Sequence, residues 1–188
     1  MSKTFLSLSL TAVCLGISAA HATATGNADA PAGGEIVTFD APGVGYGTQT
    51  GAPYGLGTFP TGINNHGDIV GYYSDAMGGY HGFVRSAHGK FAIINDPSST
   101  SSPAATIAQA MSDAGTVVGF WFDGDGNFHG FVRSREGAFT TVDPAGDIDA
   151  ECYQQTTVAW AINDLNEFTG YWFDSNAAGH GFVALAVP

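Results

Sequence analysis

From about residue 58 onward, short apolar runs alternate with clusters of Gly, Asp, Asn and Ser. The alternation has the two-residue period of strands rather than the 3.6-residue period of helices. Residues 106–143 illustrate the pattern. Thr106 to Met111 reads as a strand, and Ser112-Asp113-Ala114-Gly115 as a turn in which glycine supplies a positive φ. Thr116 to Phe122, rich in β-branched and aromatic residues, reads as the next strand. Asp123-Gly124-Asp125-Gly126-Asn127 reverses the chain into Phe128 to Arg133. Arg135-Glu136-Gly137 turns it again into Ala138 to Asp143, which Pro144 stops because proline cannot donate to a ladder. The prediction is a four-stranded antiparallel meander of propeller-blade length.

The same pattern occurs three times. Gly62-Ile63-Asn64-Asn65, Ala110-Met111-Ser112-Asp113 and Ala161-Ile162-Asn163-Asp164 open equivalent segments. Each continues through Ile69-Val70-Gly71-Tyr72-Tyr73, Val117-Val118-Gly119-Phe120-Trp121 or Phe168-Thr169-Gly170-Tyr171-Trp172, and then His-Gly-Phe-Val from His81, His129 or His180. The glycines and histidines both set periods of 48 and 51 residues. Thr58, Thr106 and Thr157 precede the units at one offset, and Leu165-Asn166 replaces the turn glycine of the third. Such a period outranks any single motif. The units run at about 58–105, 106–156 and 157–188, and the last lacks a fourth strand. Glu35-Ile36-Val37-Thr38-Phe39-Asp40-Ala41-Pro42-Gly43 resembles the fourth strand of the second unit. The expectation is therefore one all-β domain over 35–188, with the N-terminal strand completing the last repeat. Propellers have four to eight blades. Three units thus suggest either a compact pseudo-threefold arrangement, β-prism- or trefoil-like, or half of a six-blade ring formed by two chains.

The chain has 188 residues, 27 of them glycine, with 44% hydrophobic, 12% aromatic and 12% charged. That composition excludes a helical bundle and supports a buried core rather than disorder. Five Lys+Arg stand against 17 Asp+Glu. So acidic a chain cannot neutralise a row of phosphates, which argues against nucleic acid and anionic membranes as partners. At the N-terminus, Lys3 precedes an apolar run of about sixteen residues and Ala-x-Ala sites ending at Ala22 and Ala24. This predicts a signal peptide over 1–24, a small polar leader over 25–34 and a secreted or periplasmic protein. A membrane anchor and a lipoprotein site at Cys14 fit less well, since the run is short for a span and the cysteine sits in its middle. Removing 1–24 takes away one cation and no acid, giving 4 − 17 = −13. It leaves Cys152 as the one remaining cysteine, either a small buried apolar residue or a route to an intermolecular bridge.

The Gly-Ile-Asn, Ile-Val-Gly-Tyr, His-Gly-Phe and Val-Asp-Pro signatures resemble the HAF-type probable extracellular repeat family of exported bacterial proteins. The resemblance covers about 35–188 and implies β-propeller-type repeats and export. It implies no particular chemistry.

Three sets of residues are candidates for chemistry. His81, His129 and His180 are equivalent, so a shared axis would gather three imidazoles able to hold zinc or copper. The alternative is that each serves its own blade. Asp123, Asp125 and Asn127 match the first half of a calcium loop, but Phe128 stands where the loop needs glycine and Ser134 where it needs glutamate, which favours a hairpin turn. Tyr72, Trp121, Trp160 and Trp172 are candidates for stacking on sugars, against the alternative of core packing. Hydrolase, metalloprotease and phosphate-loop motifs are absent. The reading is an exported binding or structural repeat protein without a required cofactor, monomeric or homodimeric, with an envelope or extracellular glycan or protein as ligand. The alternatives are a carbohydrate-active hydrolase or lyase using a carboxylate pair, and a metal-binding protein through the three histidines.

Overall fold

The computed structural model describes residues 36–45, 56–144, 156–174 and 176–186. The expected signal peptide and leader, and residues 145–155 with Cys152, lie outside them. The described residues hold eleven strands and no helix. β1 (Thr58–Ile63), β2 (Ile69–Ser74), β3 (Tyr80–Arg85) and β4 (Phe91–Ile94) form one antiparallel sheet in sequential order. β5 (Thr106–Met111), β6 (Val117–Phe122), β7 (Phe128–Arg133) and β8 (Phe139–Val142) form a second of the same order. β9 (Thr157–Ile162), β10 (Glu167–Phe173) and β11 (Gly179–Leu185) form a three-stranded third. The four strands predicted for the second repeat fall within one residue of those observed.

The sheets share local detail. Each first strand slips register by one residue, leaving Thr61, Gln109 or Trp160 as a bulge. Opposite the bulge sit Gly71, Gly119 and Gly170, where a Cβ would run into the carbonyl oxygen of Phe59, Ile107 or Val158. The repeated Ile-Val-Gly and Val-Val-Gly signatures are therefore needed for close strand approach. In the third unit Asn166 adopts φ 60°, taking over the left-handed role of Gly67 and Gly115.

The sheets stack in chain order. β1, β2 and β3 pack against β5, and β5, β6 and β7 against β9. Parallel bridges at Tyr80–Ala105 and Phe128–Thr156 lead the chain from one sheet into the next. Val70 and Ile94 on the back of the first sheet meet Ala108, Val117, Trp121 and Phe131 of the second. Val118 and Val132 on the back of the second meet Ala159 and Phe168 of the third. Phe83 and Phe131 are fully buried, and burying such a ring is worth about 1.5–3 kcal/mol.

The N-terminal segment does not complete the last sheet. Residues 36–45 carry no strand, and β11 is an edge of its sheet among the described residues. The segment lies on the front of the first sheet instead. Phe39 packs on Phe83 and Phe91, with ring centroids 6.4 and 6.1 Å away, and Arg85 lies over its ring at 4.8 Å. The Ala41 N–H donates to Thr58 Oγ1 at 3.0 Å, and the Gly45 N–H to the Ser74 carbonyl at 2.7 Å. A front face of large apolar rings needs a cover, and this apolar segment supplies it.

Candidate functional site

The three histidines are each engaged by their own sheet. His81 stacks on Tyr73, its Nδ1 lies 2.8 Å from Asn95 Oδ1, and its Nε2 lies 3.0 Å from Asp75 Oδ2. His129 stacks on Trp121 at 4.2 Å, with Nδ1 2.9 Å from Asp143 and Nε2 3.4 Å from Asp123. His180 stacks on Trp172 at 4.6 Å, with Nε2 3.3 Å from Asp174. The carboxylate partner closes the β2–β3, β6–β7 or β10–β11 turn. Oδ1 of Asp75 accepts the N–H groups of Met77 and Gly79, that of Asp123 those of Asp125 and Asn127, and that of Asp174 those of Asn176 and Ala178. Aromatic, aspartate and histidine thus form a clasp that holds a hairpin shut. Among the described residues no group of three or more His, Cys, Asp or Glu side chains is set to hold a metal ion.

The electrostatics agree with a clasp. Burial pushes the Asp75 carboxyl up, but hydrogen bonds from His81 and from the Gly79 and Met77 amides outweigh it and hold the pKa below the usual value. Asp123 behaves likewise: burial raises it, and the Asn127 side chain, the turn amides and His129 bring it lower. Asp174 is lowered first by the Ala178 and Asn176 amides. The same contacts engage Asp123 among the calcium-loop candidates: its Oδ2 accepts from Asn127 Nδ2 at 2.8 Å and its Oδ1 from the turn amides. The Asp123, Asp125 and Asn127 segment is a closed hairpin turn.

The aromatic candidates separate. Tyr72 is half-buried and stacks on Phe59 at 5.0 Å. Trp121 is buried, and its Nε1 has no hydrogen-bond partner among the described residues. Trp172 is half-buried under His180. Trp160 is 54% exposed and lies 6.3 Å from the Tyr171 ring. The structure does not gather the four into one site.

Two features were missed from sequence. The first is a chain of contacts linking the first turn of each unit. The Asn65 N–H donates to Asp113 Oδ1 and Asn65 Nδ2 to Asp113 Oδ2, both at 2.8 Å, and the Asp113 N–H donates to Asp164 Oδ1 at 2.9 Å. Hydrogen bonds from the Asn65 side chain and amide lower the Asp113 pKa. The available signal was an Asx residue at one offset in all three repeats. Beside this chain, a groove of about 500 Å³ between the first two sheets is lined by His66, Asp68, Met111, Asp113, Arg133 and Arg135. Asp68 accepts the Ala87 N–H at 2.9 Å. A general acid needs a raised pKa, and Asp113 is shifted the other way.

The second is the back of the third sheet. Thr169, Tyr171 and Phe173 on β10 face the same way as Gly181, Val183 and Leu185 on β11. Tyr171 and Phe173 are each 38% exposed, Val183 77% and Leu185 61%. The equivalent Phe120 and Val132 are covered at 5% and 7% by the following sheet. Glycine records the same difference. A Cβ on Gly82 would meet Ile94 and Ala108 at 3.1–3.2 Å, and one on Gly130 would meet Val142 O at 2.8 Å and Thr157 Cγ2 at 3.0 Å. Among the described residues, one on Gly181 would meet only Gly170 O, at 3.9 Å.

Compared with protein-family models, with curated proteins and with solved structures, the chain matches none.

Proposed function

We propose that the chain is an exported β-repeat protein of binding or structural role, its sheets arranged as successive blades of a propeller-like stack, acting through an exposed face rather than an enclosed catalytic site. One observation carries the reading. The back of the third sheet presents Tyr171, Phe173, Val183 and Leu185 to solvent, while the equivalent faces of the other two sheets are covered. A contiguous exposed apolar face of this kind marks an interaction surface. The form of the patch favours a protein surface over sugar rings. Repeated sugar subsites call for aromatics exposed at equivalent places in several units, and here the equivalents Tyr72 and Phe120 are turned into packing. The resemblance to exported repeats supports the compartment.

The test places a photoreactive amino acid at position 183, and separately at the exposed turn residue Glu136, in cells that export the chain. Adducts from position 183 and none from 136 support the reading. No adduct from 183 overturns it.

A further inference from the structure

We infer that the partner of the open third sheet is a second copy of this chain, and that two copies close head to tail into a ring of six blade-like units, each copy's N-terminal segment supplying the strand that the other's third sheet lacks. The inference rests on the interaction-surface reading and names its occupant.

The N-terminal segment supplies the argument. The Ala41 N–H donates to Thr58 Oγ1 at 3.0 Å, just as the Asp96 N–H donates to Thr106 Oγ1 at 3.0 Å. Thr58 and Thr106 are equivalent, so residues 39–41 stand to the first sheet as residues 94–96 stand to the second. Ile94, the end of β4, packs on Phe131; Phe39 packs on the equivalent Phe83. The segment therefore occupies the place of a preceding unit's fourth strand, while among the described residues no first three strands accompany it. At the far end of the stack, β9–β11 are three strands without a fourth among the described residues. The two deficits match.

They do not meet within one chain. The segment is held on the front of the first sheet, and the packed strand pairs carry the stack from first to second to third sheet, away from it. A second copy brings its first sheet, with segment 36–41 attached, onto the open back of the third. Registers carry over from the complete sheets. β7–β8 pairs Gly130 with Val142 and Val132 with Thr140. The corresponding pairs are Gly181 with Phe39 of the other copy, and Val183 with its Val37. Val37 is 43% exposed and Ile36 88%, as unpaired strand residues awaiting a neighbour would be. Gly181 then acquires neighbours like those that crowd a Cβ at Gly82 and Gly130. The turn-to-turn contacts continue in the same way. The Asp113 N–H meets Asp164, but the Asp164 N–H meets no further carboxylate or amide oxygen among the described residues, and the next unit would offer it Asn65 Oδ1. Head-to-tail contacts close if the rotation per unit fits and otherwise run into filaments. Two chains of three units give six blades, inside the usual range.

The experiment is light scattering on the full exported chain after chromatography, with Val183→Arg alongside. Val183 is 77% exposed, so the substitution leaves the single chain folded. The expected masses are two chains for the native protein and one for Val183→Arg, with unchanged circular dichroism. In parallel, a Cys152→Ser chain carrying Val37→Cys and Val183→Cys is oxidised. A covalent dimer in high yield, absent from the single-cysteine variants, supports the exchange of strands. A native single-chain mass, an open series of larger polymers, or a disulfide formed within one chain each overturns it. If the chain is monomeric while position 183 still forms adducts with another molecule, the interaction-surface reading stands and the second copy does not. If it forms none, both fall.

Discussion

Replacing Gly130 and Gly181 with alanine separates what a strand needs from what its neighbour demands. Both glycines follow the repeated histidine, and neither has a positive φ, so alanine fits the backbone at both. At Gly130 the added Cβ would lie 2.8 Å from Val142 O and 3.0 Å from Thr157 Cγ2. Backbone and a buried threonine must then shift. Overpacking of this kind costs about 1–3 kcal/mol, and a domain of this size loses roughly 2–4 °C per kcal/mol, so Tm falls by roughly 2–12 °C. At Gly181 the one neighbour within reach among the described residues is Gly170 O at 3.9 Å, an ordinary contact. Alanine there restricts the unfolded chain and contributes about 0.5–1 kcal/mol of stability. The assay is thermal unfolding followed by circular dichroism at the lowest workable concentration, where single chains dominate. Equal losses at the two positions, or no loss at Gly130, would refute the claim that the following sheet dictates the glycine. Raising the concentration adds a second reading. If a second copy covers Gly181, the alanine variant needs more protein to associate than the native chain does.

Further expectations concern the core and the turns. Phe131→Ala empties a fully buried site and should cost about 3–5 kcal/mol in denaturant unfolding, whereas Phe182→Ala, at the half-buried equivalent, should cost less. Ala177 holds φ 59° where the other units have Gly78 and Gly126, so Ala177→Gly should raise stability by about 0.5–1 kcal/mol; a loss would contradict the repeat alignment. Asp75 and Asp123 have folded pKa values below their unfolded ones, so their contribution is complete above the unfolded carboxylate pKa of about 4 and is lost as pH falls through the folded values. A melt series from neutral pH downward should show Tm dropping below about pH 4, less steeply in Asp123→Ala than in the native chain. With the Asp123 oxygens already committed to Asn127, His129 and the turn amides, calcium addition and chelation should both leave Tm unchanged.

Much of the fold was legible before any coordinates. The two-residue alternation and the Gly and Asx turns locate the strands of the second unit to within a residue, and the 48- and 51-residue periods point to their counterparts in the other two. They do so because strand pleat and turn geometry are local, set by φ/ψ preferences and by which side of a strand meets apolar neighbours. The repeated histidines were visible too, but their use was not. His81 stacks on Tyr73 and reaches Asp75 because β2 and β3 pair in register and the turn folds the carboxylate back. Nothing in the spacing alone chooses that clasp over three rings on a common axis.

The N-terminal segment marks the boundary. Its sequence identifies a fourth-strand likeness over residues 35–43, because the pattern of apolar and turn residues is local information. Which sheet it serves depends on where its apolar face finds cover, and that is a property of the assembled stack. In the fold, Phe39 is drawn to the Phe83 and Phe91 rings at one end. Val183 and Tyr171 are left open at the other, although Val132 and Phe120, their equivalents in the second unit, are buried. The sequence by itself determined three near-identical β units and their turns. The tertiary structure alone decided that identical positions have different exposure, because burial depends on whether another sheet follows, and no residue's own identity records its neighbour.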